Sequence, residues 1–333
     1  MMIQQAVLHV FDFHTNMCIV SQKELDFSSD VIYEYVNKRV SRILHDAGQK
    51  KGIFYATSRY QQAVQKLAAG EMSFADAAAE TARSLFDILS HCDEPASQDL
   101  LVVDFRDDDD QRQLAILLLD HKMAYTHQIL DDDGAVYNQL IQHQAILPGT
   151  TQKASAYAIV NLQDFSIRFV DIKRKMDGED LYILPDKLLQ CTMTVSAKEA
   201  VGVVSKIAEK VADEYGGSTV EALSKAKHYL VEQTEQADTF SPQQLGDMIF
   251  AESEPMRQEF TAQLQEAKLP DDVAIGREFA QKTGRSHKIK TDTGIEIIFP
   301  SEYIENTDYI QFINNPDGTI SIELKGIGKI MNK

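Results

Sequence analysis

The stretch from Asp99 to Leu162 decides the fold, and it opens with the segments DLLVVDF (Asp99–Phe105) and LAILLLDHK (Leu114–Lys122). Both are continuous runs of leucine, isoleucine and valine, and the acidic segment Asp107–Asp110 lies between them. Runs of this length between charged turns are typical of strands that are buried on both faces. They predict a hairpin at the centre of a sheet.

Further strand-like runs lie on either side of this hairpin. Tyr125–Leu130 follows it, and the segment Ala145–Gly149 leads into a fourth run, Ala156–Leu162. Near the N-terminus, Ile3–Val10 and Met17–Val20 are short and rich in residues that favour strands, so they predict an opening strand pair. We therefore expect an N-terminal α/β region around a mixed sheet.

Helical patterns flank these strands and dominate the middle of the chain. Apolar residues recur at helical spacing after Asp30, and further helices are predicted over Tyr60–Ala69 and from Ser73. The sequence Ser196-Ala-Lys-Glu199 is a capping box that opens a helical region.

Strand patterns return in the last fifty or so residues. Ile295–Phe299 is strand-like, and Tyr309–Ile313 and Thr319–Leu324 predict a hairpin through the turn Asn315–Gly318. The sequence thus predicts an α+β fold in three parts: an α/β domain with a central sheet (1–195), a helical segment (196–281) and a small β module with a basic tail ending at Lys333 (282–333).

Composition excludes several classes of protein. No apolar run approaches the 18 or so residues of a membrane span, and the first residues lack the basic-then-apolar pattern of a signal peptide, so we expect a soluble, cytoplasmic protein. Cys18, Cys92 and Cys191 are far apart in the sequence, which favours reduced thiols over a disulfide framework or a zinc site.

The charge is unevenly distributed along the chain. The formal net charge is −18, yet residues 36–66 contain seven bases and a single acid, whereas residues 71–133 contain sixteen acids and four bases. A basic segment in so acidic a chain indicates a surface for phosphate groups. The bases assigned to such a surface are Lys38, Arg39, Arg42, Lys50, Lys51 and Arg59, with Lys173, Arg174, Lys175, Arg285, Lys288 and Lys290 as a second set.

A nuclease is the enzymatic alternative. Asp104 and Asp120 lie near the ends of adjacent predicted strands, Lys122 follows, and Glu80 could add a third carboxylate. Two carboxylates on neighbouring strands can hold Mg²⁺, and a lysine can polarise the attacking water or the phosphate.

The sequence lacks the motifs that two common ligand-binding sites require, and no cofactor is expected. Asp131–Gly134 lacks the ligand spacing of an EF-hand, and Gly149–Lys153 lacks the second glycine and the Lys-Ser/Thr pair of a phosphate-binding loop. Around residues 241–267, acids outnumber bases, which argues against a DNA-binding helix-turn-helix. That helical segment instead suggests a third hypothesis, an acidic adaptor that acts through a protein partner.

Three segments together resemble a known family. Ile3–His9, the hairpin Leu100–Phe105 with Leu114–Lys122, and Ile146–Pro148 followed by Ala156–Ile159 are similar to the bacterial nucleoid-associated proteins of NdpA type. The resemblance implies a cytoplasmic protein that associates with the nucleoid and binds double-stranded DNA, without an established enzymatic activity. It supplies no catalytic residues, so the proposed DNA contacts depend on the charge argument alone.

The favoured hypothesis is non-enzymatic association with double-stranded DNA, largely independent of sequence because nothing in the chain indicates base reading. Assembly into homo-oligomers is left open, and no membrane partner is expected.

Overall fold

The structure is a computed structural model that describes residues 1–303, 308–315, 319–329 and 331. The chain divides into two compact units, 1–194 and 195–333. The division into three domains stays a prediction. The α+β fold class is confirmed, since helices and several antiparallel sheets alternate along the chain.

The first unit contains eleven strands, three α-helices and one π-helical segment among its residues. The strands are β1 (Met2–Asp12), β2 (Met17–Ile19), β3 (Lys50–Gly52), β4 (Gln98–Arg106), β5 (Arg112–Asp120), β6 (Lys122–Asp132), β7 (Ala135–Ile146), β8 (Ala156–Asn161), β9 (Ile167–Val170), β10 (Lys173–Met176) and β11 (Glu179–Tyr182). The helices are α1 (Asp30–Leu44), α2 (Arg59–Ala68) and α3 (Phe74–Ser90), and the π-helical segment is Ile183–Leu189.

The predicted central hairpin is confirmed. Strands β4 and β5 pair in antiparallel register, with Leu101 opposite Leu117 and Val103 opposite Ala115. Almost every residue of the two strands is buried. They lie in the middle of a seven-stranded sheet of order β2-β1-β4-β5-β8-β9-β3.

The sheet differs from the expectation in its strand directions. All of its pairings are antiparallel, so the prediction of a mixed sheet was wrong. Both faces of this sheet are buried because helices cover each of them. Val36, Val40 and Ile43 of α1 pack on one face. Helices α2 and α3 and the π-helical segment pack on the other.

Strands β6 and β7 form a separate hairpin, which we call the arm. They pair only with each other, from Lys122 opposite Ile146 to Asp132 opposite Ala135. The run Tyr125–Leu130 is therefore a strand, as expected, but it does not belong to the central sheet. Strand β7 begins ten residues before the predicted run at Ala145.

The second unit is built mainly from helices: α4 (Ala197–Glu214), α5 (Thr219–Gln236), α6 (Pro242–Ile249), α7 (Glu254–Ala267) and α8 (Arg277–Gly284). The capping box of Ser196 and Glu199 is confirmed at the start of α4. Two-stranded pairings complete the unit: β12 (Thr239–Phe240) with β13 (Val273–Ala274), β14 (Ser286–Lys290) with β15 (Glu296–Pro300), and β16 (Ile310–Asn314) with β17 (Ile320–Leu324).

The predicted C-terminal hairpin is confirmed as β16 and β17. Residues 316–318 of its predicted turn, and Lys333 at the end of the predicted basic tail, lie outside the described residues.

Candidate nucleic-acid interface

The short strand β3 places two lysines at one border of the central sheet. It pairs with β9, and Lys51 lies opposite Arg168. Directly opposed residues of an antiparallel pair project from the same face, about 5 Å apart at Cβ. Because side chains alternate along a strand, Lys50 projects from the other face.

Tyr182 brings a third lysine to this border. The Lys50 ammonium lies 5.3 Å from the centroid of the Tyr182 ring, and the Lys173 ammonium lies 5.9 Å from it. Lys173 is the direct neighbour of Tyr182 across the β10–β11 pair. The aromatic ring attracts both ammonium groups, so it helps hold two like charges close together. We call Lys50, Lys51, Arg168 and Lys173 the cationic edge.

The backbone of β3 is held on both sides. Thr192 and Thr194 bond to its outer side, and the Thr194 hydroxyl accepts from the Lys51 backbone N–H at 2.9 Å. At Gly52 an added Cβ would lie 2.5 Å from the Thr192 carbonyl oxygen, so only glycine allows this close approach. The backbone that carries the lysines is therefore fixed, with Lys51 exposed and Lys50 half-buried.

Other predicted bases of the first unit are exposed. Arg42 lies on α1 and Arg59 begins α2, and neither has an ion-pair partner among the residues that the structure describes. Lys38 is also exposed, but it pairs with Glu34 one helical turn earlier. Arg42 and Arg59 therefore retain their charge for an external anion.

Arg39 is a correction to the predicted set, because only 1% of it is exposed. Its guanidinium donates to the backbone carbonyl of Gln152 at 2.6 Å and to that of Pro148 at 2.7 Å. It lies three residues after Val36 and four before Ile43, which places it on the buried stripe of α1. Arg39 ties the helix to the loop before β8 and cannot reach a phosphate from there.

Arg174 also has an internal role. Its Nη1 donates to Asp171 Oδ1 at 2.9 Å, and the Asp171 side chain is completely buried. Burial raises the pKa of Asp171, whereas hydrogen bonds from the Leu184 backbone and the charge of Arg174 oppose that shift. Lys175 on the same strand is exposed.

The remaining predicted bases lie in the second unit, near β14. Arg285 precedes the strand and is exposed. Lys288 pairs with Glu296 at 2.8 Å across the β14–β15 hairpin, and Lys290 at the end of β14 is exposed.

The nuclease arrangement does not assemble. In the β4–β5 register Asp104 lies opposite Leu114, whereas Asp120 lies opposite Gln98. Six residues of strand separate the two positions, roughly 20 Å at about 3.4 Å per residue. Asp104 is instead buried against Arg112, whose Nε and Nη2 lie 3.0 and 2.6 Å from Asp104 Oδ2. Across the described ranges, no group of three or more His, Cys, Asp or Glu residues could hold a metal ion.

The acidic helical segment predicted over residues 241–267 corresponds to helices α6 and α7. Glu254 pairs with Arg257 within α7, and Glu252 and Glu266 are exposed. Their role as a surface for a protein partner stays a prediction.

Sequence reasoning missed one member of the cationic edge, Arg168. Arg168 is half-buried, and burial lowers its pKa while nearby Asp107 opposes the shift. The alternation of apolar and polar residues around Arg168 predicts a strand from the sequence, but the pairing of that strand with Lys51 could not be predicted. Beside the edge, Ile53 is 72% and Tyr55 is 51% exposed, so apolar and aromatic groups border the charges.

A cationic sheet border on an acidic α+β chain is the kind of surface expected of a nucleoid-associated protein. A family model described as nucleoid-associated protein YejK matches residues 7–332, and the chain belongs to that family. The resemblance inferred from the sequence is thereby confirmed. Comparison with curated proteins gives no significant match. In the part of the chain that the structure describes, no helix is long and apolar enough to cross a membrane.

Proposed function

We propose that this protein binds double-stranded DNA of the bacterial nucleoid, in the cytoplasm, through the cationic edge, and that it does so largely without reading sequence. The observation that carries the proposal is that two pairs of bases lie at one border of the sheet, Lys51 with Arg168 on one face and Lys50 with Lys173 on the other.

The chemistry of the edge fits a phosphate backbone. Lysine and arginine side chains neutralise phosphates and release condensed counterions, a term that does not depend on base identity. The strands described at this border, β3, β9 and β10, contain no asparagine or glutamine that could read bases in the major groove. The edge therefore supports affinity without sequence specificity.

Because the net charge of −18 repels DNA, binding depends on which surface of the protein faces the DNA. Asp108–Asp110 and the aspartates at the tip of the arm repel a polyanion, and Asp107 offsets part of the charge of Arg168, whereas the lysines of the cationic edge attract a polyanion. Binding through one defined border lets an acidic protein associate with DNA.

The expected salt dependence can be worked from the residues. Four charges at the edge, joined by Arg42 and Arg59, would make four to six phosphate contacts. That number gives a slope of about −4 to −5 in log affinity against log salt, or several hundredfold weaker binding at 200 mM than at 50 mM salt.

The test is binding of the full chain to a labelled random duplex over a salt series, with and without Mg²⁺. The triple variant Lys50→Glu, Lys51→Glu, Lys173→Glu should abolish binding at moderate salt. The matched control is Lys23→Glu, Lys66→Glu, Lys122→Glu, which changes the net charge equally at exposed lysines of the same unit that do not belong to the cationic edge, and it should retain the slope.

Other outcomes would overturn the proposal. Equal loss of binding in both triple variants would show that net charge, not the edge, controls the interaction. Absence of binding by the unmodified protein at low salt would favour recruitment by a protein partner. Cleavage of the duplex only in the presence of Mg²⁺ would indicate a nuclease despite the separation of Asp104 and Asp120.

A further inference from the structure

The arm exposes an apolar face that nothing in the first unit covers. Side chains alternate between the two faces of a hairpin. In the arm's register one face carries Met123, Tyr125 and Ile129 from β6, and Val136 and Leu140 from β7. These five side chains are 61–71% exposed.

Polar side chains lie between the apolar side chains of this face and bond to some of them. Gln142, which lies opposite Tyr125, donates through Nε2 to the Tyr125 hydroxyl at 3.1 Å and also contacts the Met123 sulfur. His127 and Asn138 lie opposite Leu140 and Ile129. Apolar groups thus alternate with hydrogen-bonding groups, as in the core of a protein interface.

The arm is also free of charge along its length. Residues 123–130 and 135–146 include no lysine, arginine, aspartate or glutamate, although such residues make up 25% of the chain. Charge is confined to Lys122 at the base and to Asp131, Asp132 and Asp133 at the tip, where Asp131 lies opposite Val136 at the end of the apolar face. A surface without charge is where two copies of a chain of net charge −18 can approach each other with least repulsion.

A two-stranded hairpin is marginally stable alone in water, so a long apolar arm needs a covering partner. We propose that the arm is a dimerisation element, in which the apolar face of one arm packs on the same face of the arm of a second copy. Such a contact is isologous, since the same surface serves both copies around a two-fold axis.

The available area suits this occupant. At about 120 Å² of exposed surface for each of the five large side chains, two arms would bury roughly 1,200 Å² in total. This value is at the lower limit for specific protein interfaces, so we expect a dimer that dissociates at low concentration.

A DNA groove is the competing occupant, because a two-stranded ribbon fits the major groove. The arm carries no base along its body to contact phosphates, and three aspartates occupy the tip that would enter first. The observations therefore favour a second copy over DNA.

Sedimentation equilibrium of the full chain tests the proposal. The unmodified protein should reach twice its monomer mass of 37.4 kDa as concentration rises. Ile129→Glu, Leu140→Glu places two charges on the apolar face and should weaken dimerisation at least about 100-fold, because those charges would be buried without partners. The matched control Gln128→Glu, Gln139→Glu adds the same charge at opposed positions of the other face and should dimerise normally.

Cross-linking provides a second measurement that does not depend on loss of function. The His127–Leu140 pair lies near the middle of the arm, so Leu140→Cys should form a disulfide with its counterpart across the two-fold axis. Gln139→Cys, on the other face, should not. Cys92 and Cys191 are buried, and the unmodified protein reports the background from half-buried Cys18.

Two results would overturn the proposal. One is a monomer at every concentration up to about 100 µM, well above the affinity expected of a specific interface. The other is equal dimerisation of both double variants. A monomer whose DNA binding is lost only in Ile129→Glu, Leu140→Glu would assign the arm to DNA instead.

Discussion

Replacement of Arg39 by methionine separates the structural from the functional bases of α1. Arg39 is buried, and its guanidinium donates to the carbonyls of Gln152 at 2.6 Å and Pro148 at 2.7 Å. Its Nε lies 3.3 Å from the Tyr35 hydroxyl, which itself donates to Pro148. Methionine keeps the apolar stem but provides no donor.

The magnitude follows from these contacts. Hydrogen bonds from a charged donor contribute roughly 1.5–3 kcal/mol each, and a buried acceptor without a partner costs about 1–3 kcal/mol. Pro148 retains the bond from Tyr35, and Gln152 is exposed so that water can solvate its carbonyl; the main loss is therefore that of the two charged hydrogen bonds themselves. Burying the Arg39 charge itself costs free energy, and methionine avoids that cost, which offsets part of the loss. We expect a net loss of about 3 kcal/mol in the free energy of unfolding.

Urea unfolding followed by circular dichroism measures this loss, and DNA binding over a salt series measures the phosphate contacts. Arg39→Met should lower stability while the folded protein keeps the salt slope of the unmodified chain. Arg42→Met, three residues later and exposed, should change stability by less than about 0.5 kcal/mol and lower the slope by about one. Unchanged stability of Arg39→Met together with a reduced slope would refute the structural assignment of Arg39.

Two further predictions concern other buried groups. Arg112→Met leaves the buried Asp104 carboxylate unpaired and should cost about 3–5 kcal/mol in urea unfolding, whereas Arg112→Met with Asp104→Leu should recover most of that loss; no recovery would contradict the pairing. Burial lowers the pKa of His9 to about 4, assisted by the charge of Arg83. The unfolded chain therefore binds this proton first, and the stability that neutral His9 contributes above pH 6.5 is lost as pH falls towards 4. His9→Gln should flatten the pH dependence of unfolding in that range by up to one proton, and identical slopes would disprove this role.

The two proposals have a joint consequence. A dimer joined through the arms would carry two cationic edges, so one dimer could contact DNA twice. The second contact would be intramolecular, which raises the overall affinity without any new residue at the interface. The unmodified protein should then bind DNA more tightly than the dimerisation variant, and with a steeper salt slope, because two edges neutralise more phosphates than one.

The core was readable from the sequence because burial leaves a direct pattern. Leu100–Val103 and Leu114–Leu119 are apolar at every position, and short runs of this kind between charged turns are typical of strands covered on both faces. The caps at Ser73 and Ser196 were equally visible, since they depend on residues three positions apart.

The arm and the nuclease alternative show the limit of local patterns. The residues of β7 mix glutamine, asparagine and histidine with apolar residues, so they do not indicate a strand until their pairing with β6 is known. Asp104 and Asp120 follow comparable apolar runs, yet antiparallel pairing places them at opposite ends of the hairpin. Strand direction decides which residues meet, and composition does not reveal direction.

The sequence by itself determined the family, the α+β class, the buried central hairpin and the bias of positive charge towards residues 36–66. Only the tertiary structure decided which charges act together. It buried Arg39, engaged Arg174 with Asp171, and joined Lys50 and Lys173 on the ring of Tyr182. The physical reason is that apolar periodicity and caps arise from neighbours within a few residues, whereas a charged surface depends on long-range strand pairing and on which side chains the core leaves in water.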